Sequence, residues 1–134
     1  MSVELKEKAI SLLQSNALVD LSSGAETTLF TCPTGKNAVI THIIVRKASA
    51  SLASVSDTKF GTNAGTRNDW DASARTIALI TTSSLVQILT PTLPGDTADQ
   101  VSTIVTSGGT FGIKVTTGAA VTATIDIFGY EFDA

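Results

Sequence analysis

Hydrophobic and polar positions alternate most regularly late in the chain. Phe111, Ile113 and Val115 alternate with Gly112, Lys114 and Thr116; Val121, Ala123, Ile125 and Ile127 alternate with Thr122, Thr124, Asp126 and Phe128. A period of two is that of a half-buried strand, and Thr117-Gly118-Ala119-Ala120 reads as the turn between two of them. Weaker versions of the pattern predict strands over Glu26 to Thr31, Asn37 to Lys47, Thr76 to Ile80 and Ser84 to Thr90, the last closed by Pro91, Pro94 and Gly95. Leu52 to Val55, Thr58 to Phe60 and Val101 to Val105 are further short candidates. In Asn37 to Lys47 both faces are apolar over part of the length, with Val39, Ile43 and Val45 on one and Ile40 and Ile44 on the other. That predicts a strand covered on both sides.

The first segment has a different period. Leu5, Ala9, Leu12 and Leu13 fall at i, i+4, i+7 and i+8, with Glu4, Lys6, Glu7, Lys8 and Gln14 mostly elsewhere and Ser2 placed to cap. This predicts an amphipathic helix over Val3 to about Ser15. So short a helix is marginal alone in water and must dock, on its own domain or on a neighbouring subunit. Its apolar stripe is therefore a candidate interface. The expected organisation is a helix and linker over 1–25 and a β domain over 26–134. Some seven or eight short strands after one helix predict an all-β fold, a jelly-roll-like β-sandwich with a short N-terminal α-helix. The Cys…Trp…Cys pattern of immunoglobulin domains is absent.

Composition agrees. The chain has 134 residues, enough for one domain with its own core. Thr (21) and Ser (14) are abundant and only 5% of residues are aromatic, which is strand and turn composition. A net charge of −3 with 16% charged residues argues against a nucleic-acid partner, which calls for a basic face. With 43% hydrophobic residues the chain has the means to fold. Cys32 is the only cysteine, so no intrachain disulfide is expected, and it reads as a buried apolar residue. The opening "MSVELKEKAISLLQSN" carries charges where a signal peptide needs an apolar run, and no segment approaches a membrane span. Synthesis in a cytoplasm, with no membrane partner, is the expectation.

Candidate chemistry is sparse. Thr34-Gly35-Lys36 invites a phosphate-loop reading, but position 30 is Phe30 rather than Gly, Asn37 stands where a hydroxyl is required, and a β-branched run follows where a helix is needed. Cys32-Pro33-Thr34-Gly35 fits a type I turn with Pro at i+1 and Gly at i+3. Asn68-Asp69-Trp70-Asp71 lacks the spacing of a calcium loop. Its alternative is a surface loop, with Trp70 either anchoring that loop or meeting a partner. His42, the single histidine, has no second His to share a metal. Neither Asp69/Asp71 nor Asp96/Asp99 stands out as a catalytic pair, and no nucleophile elbow exists. No enzyme activity, metal or other cofactor is expected.

One resemblance sharpens this. "TTLFTCPTGKNAVITHIIV", on Thr28, Leu29, Phe30, Thr31, Pro33, Gly35, Lys36, Ala38, Ile40 and Thr41, resembles the strand-turn-strand opening of small virion proteins of tailed bacteriophages; "KFGTNAG" and "ATIDIFGYEF" are similar to further pieces of them. The likeness covers most of the chain after residue 26 and omits the N-terminal segment. It implies a β-sandwich structural protein made in the host cytoplasm and carried on the virion, such as a capsid cement (decoration) protein. Its implied partners are further copies of itself, as a homotrimer, and the major capsid protein. A tail-associated receptor- or glycan-binding module is the alternative. Leu5, Ala9, Leu12, Leu13 and Trp70 are the candidate contact residues.

Overall fold

A computed structural model describes residues 9–71, 75–92 and 103–134. They form seven strands: β1 (Ser11–Asp20), β2 (Glu26–Thr31), β3 (Lys36–Arg46), β4 (Asp57–Gly61), β5 (Gln87–Leu89), β6 (Thr110–Thr117) and β7 (Thr122–Asp133). A four-stranded sheet runs β1-β7-β3-β5 and a three-stranded sheet runs β2-β6-β4, all pairs antiparallel. Arg75 continues the smaller sheet through one bridge to Thr58. β6 is the middle strand of the smaller sheet, and β7 and β3 are the middle strands of the larger; the strict alternation of β6 and β7 fixes which of their faces is buried.

The predicted N-terminal helix is corrected. Residues 3–8, Leu5 among them, lie outside the described residues; from Ser11 onward the chain is strand β1, and no helix occurs among the described residues. A helix this short gains little by itself, whereas β1 pairs with β7 from Ser11↔Gly129 to Asp20↔Thr122. Adjacent residues of a strand point to opposite faces, so Leu12 is exposed while Leu13 packs against the core, and the register slips between Leu12 and Gln14. Adjacent leucines, read as one helical stripe, serve two faces of a sheet. The β structure thus begins before residue 26.

Two other predicted strands are turns. Leu52 to Val55 and Ile77 to Ile80 each close on a hydrogen bond, Val55 N to Leu52 O (2.9 Å) and Ile80 N to Ile77 O (3.2 Å). Each buries both of its terminal residues. The turns also bond to one another, Leu52 N to Ile80 O and Ile77 N to Val55 O. Of Ser84 to Thr90 only Gln87–Leu89 is strand. Val101 lies outside the described residues, and Val105 makes a single bridge to Ala38.

Both sheets feed one apolar core: Ile40, Ile43, Val45, Ile125 and Ile127 from the larger, Leu29, Phe60, Phe111, Ile113 and Val115 from the smaller. The two-faced pattern of β3 has a specific origin. Its register against β7 slips between Ile40 and His42, so Ala38, Ile40, Ile43 and Val45 are buried while Val39, His42 and Ile44 are only partly so. A bulge switches parity in mid-strand. Gly129 sits opposite Ile40, where a Cβ would strike the carbonyl of Val39.

Candidate functional site

The Gly-Lys pair closes a turn one residue later than predicted. Lys36 N donates to Pro33 O (3.1 Å) and Gly35 has φ +87°, the positive φ that a type II turn requires at its third residue. The Lys36 ammonium lies 2.7 Å from Asp133, which holds that carboxyl below its usual range. The turn therefore ties β3 to the end of β7. Cys32 is buried and its thiol faces the Lys36 carbonyl at 3.2 Å; burial first, and Glu131 second, push its pKa up, so it is no reactive thiolate.

The residues 62–71 fold over the smaller sheet. Arg67, with φ +51°, lays its guanidinium against Gly112, where a Cβ would stand 3.0 Å from its central carbon. Gly61 is the cross-strand neighbour of Gly112, and a Cβ there would strike Asp69 and the Arg67 backbone, so the two glycines let the loop lie against the sheet. Arg67 is 3% exposed and is matched by Glu26 at 2.9 Å and by Thr110 Oγ1 at 3.1 Å. Hydrogen bonds to Glu26, chiefly from Gly65 N and then from Arg67, hold its pKa below the ordinary value. Asp69 accepts from the backbone and hydroxyl of Thr62. Asp71 accepts from Thr92 Oγ1 (2.6 Å) and lies 3.1 Å from Arg75. Both carboxylates of the suspected calcium loop are engaged in tying that loop down. Among the described residues no three His, Cys, Asp or Glu side chains gather as metal ligands.

Trp70 lies inside the protein with no exposed surface. Its ring stands edge-on to Phe111 (5.6 Å) and Phe60 (6.3 Å) of the smaller sheet. Its indole N–H donates to Ile40 O of the larger sheet at 3.0 Å. It anchors the loop and offers no face to a partner.

The larger sheet is finished differently. On its outward side His42 stacks on Phe128, rings 4.7 Å apart and 6° from parallel. Asp126 there accepts from Arg46 Nε (2.6 Å) and Ser15 Oγ (2.5 Å). Burial raises the Asp126 pKa, but the bonds from Arg46 and Ser15 outweigh it and the net shift is downward. At the two flanks the side chains are bare. Ile10, Leu12 and Leu18 are exposed on and beside β1; Leu79, Leu85, Val86 and Ile88 are exposed before and on β5. Of the predicted contact residues, Ala9 and Leu12 are exposed at the first flank, Leu13 faces the core and Leu5 lies outside the described residues. Leu18, Val86 and Ile88 were not singled out from the sequence, yet a signal was there. No charged residue occurs between Ala9 and Val19, nor between Thr76 and Pro91.

No family model matches the chain, and no curated protein matches it. Among solved structures, its fold is similar to that of a chain in "Cyanophage Pam1 capsid asymmetric unit", with a TM-score of 0.52 and 18% identity over 92% of this chain and 86% of that one. At that identity the likeness is one of fold, between chains of similar length.

Proposed function

We propose that this protein is a structural component of a bacteriophage particle, a cement (decoration) protein that bridges major capsid subunits on the capsid surface as a homotrimer. The observation that carries the reading is the end-to-end likeness to a chain of similar length in a phage capsid asymmetric unit, which agrees with the independent resemblance of the Thr27 to Val45 stretch to phage virion proteins. The strand orders β1-β7-β3-β5 and β2-β6-β4 support a jelly-roll sandwich: they are those of two interlocked Greek keys with the eighth strand reduced to the Thr58–Arg75 bridge. The N-terminal segment, with Leu5, Ala9 and Leu12, is assigned to assembly.

The polar groups that chemistry would use are bound up in ties between strands and loops, which favours a structural role without catalysis or cofactor. The tail-associated glycan-binding alternative needed Trp70 to present its ring beside free carboxylates; a buried Trp70 and engaged Asp69 and Asp71 count against it. Purified protein added to particles that lack it should occupy fixed, symmetry-related positions on the capsid in electron microscopy and raise the temperature at which the shell ruptures. Decoration confined to the tail, or none, overturns the cement reading.

A further inference from the structure

Six of the eight exposed large apolar side chains among the described residues fall at two places, Leu79 and Ile104 being the others. Ile10, Leu12 and Leu18 lie at the β1 flank of the four-stranded sheet, and Leu85, Val86 and Ile88 at the β5 flank. Edge strands of soluble proteins are ordinarily blunted by charge, above all by lysine. Here both flanks fall in charge-free runs of a chain that carries nine basic and twelve acidic residues. Summed over its three residues, each flank exposes on the order of 300 Å² of apolar side chain, with exposed Gln14 and Ser15 between Leu12 and Leu18 on the β1 side.

Leu18 adds a second, independent observation. It sits at the register slip between Asn16 and Val19 with φ +56° and is 78% exposed. A left-handed conformation is costly for a leucine; the slip it belongs to seats Val19 in the core opposite Ala123. The same slip leaves the Leu18 side chain outside, so the bulge itself presents an apolar residue at this flank.

We propose that the two flanks are the two halves of one heterologous contact, in which the β1 flank of one copy packs on the β5 flank of the next and the copies close into a ring. The occupant of each flank is thus a second copy of this chain. A charge-free apolar strip is matched by another such strip, and each copy carries one on either side of its larger sheet. If the β1 flank paired with itself, the β5 flank would stay bare. A heterologous contact covers both at once and leaves no open end when the ring closes. With rims of ordinary polarity the joint area is about 1,200 Å², within the range of stable interfaces. The proposal deepens the self-association in the proposed function and does not depend on the capsid partner.

The test uses the full chain and two variants, Leu18→Asp and Val86→Asp, with melting temperature as the control for folding. At tens of micromolar the unaltered protein should sediment as a closed ring, and each variant as a monomer, its association weakened more than about tenfold. Mixed in equal amounts, the two variants should form a heterodimer, since one unaltered β1 flank and one unaltered β5 flank remain. If either Asp variant fails to fold, Leu18→Ser and Val86→Ser serve in its place. Unaltered protein that stays monomeric, a single variant that assembles normally, or a mixture that stays monomeric each overturns the contact. Monomeric protein whose variants lose capsid attachment means that the shell covers the flanks; the ring and the homotrimer are then wrong and only the capsid-binding part of the cement reading stands. A ring that binds no particle means the reverse: the contact stands and the cement reading is wrong.

Discussion

The two sheets share a core and differ on their outer sides. The smaller sheet is roofed by its own chain: Arg67 lies over Gly61 and Gly112, Glu26 neutralises it, and Trp70 follows the same loop into the interior. The larger sheet has no such roof at its flanks, where leucine, isoleucine and valine face outward. One outer side is completed within the molecule; the other keeps apolar side chains exposed at its flanks, which the proposed ring contact would cover. Mutations in the first should therefore change stability, and mutations at the flanks of the second should change association alone.

The largest effect is expected at Trp70. Trp70→Ala should cost about 3–5 kcal/mol in denaturant unfolding, because it empties the space beside the stacked Phe60 and Phe111 rings and frees the loop. Trp70→Phe should cost about 1–2 kcal/mol, chiefly for the Ile40 carbonyl left without its donor. Glu26→Gln comes next. It strands a guanidinium that is 3% exposed and should cost about 2 kcal/mol, less than the loss of a fully buried pair because Glu26 is itself partly exposed. A drop of that size without change in oligomeric state would set the roofed sheet apart from the bare one.

Acid should act through the carboxylates. Asp126 and Glu26 are both held below their ordinary values in the folded protein. Their contribution is complete above the unfolded carboxylate range, about pH 4, and is lost as pH falls through the lower folded values. Melting temperature should accordingly fall on acidification below about pH 4. Asp126→Asn should flatten that fall while costing about 1 kcal/mol at neutral pH. The smallest effect belongs to Leu18→Asn. Asparagine accepts the left-handed backbone more readily, so stability should stay within about 0.5 kcal/mol while sedimentation shifts toward monomer. A large loss of stability would show that this flank belongs to the fold after all.

What the sequence disclosed followed from how local each signal was. β6 and β7 alternate without interruption and are legible from their residues alone. β3 was legible as a strand but not in its facing, because a bulge at Thr41 lets apolar residues of both parities point inward. β1 misled because its leucines fit a helical stripe, and only its pairing with β7, far along the chain, makes it a strand. The turns at 52–55 and 77–80 bury residues three apart, a spacing that a strand template misreads. Trp70 was undecidable between loop anchor and partner contact: "NDWD" is polar around it, and burial comes from where the loop lands. The flanks were legible in principle as charge-free runs, but a run without charge becomes a surface only when the sheet order puts it at an edge.

The pairing of β1 with β7 also sets a timetable. Ser15 and Asp126, which meet across it, are 111 positions apart. At translation rates of about 5–20 residues per second, β1 waits roughly 5–20 seconds before its partner strand is made. Through that interval a charge-free segment carrying Ile10, Leu12, Leu13 and Leu18 lacks its partner strand. Such topologies fold slowly once complete, so the yield of soluble protein should respond to synthesis temperature and to chaperone supply more than its final stability suggests.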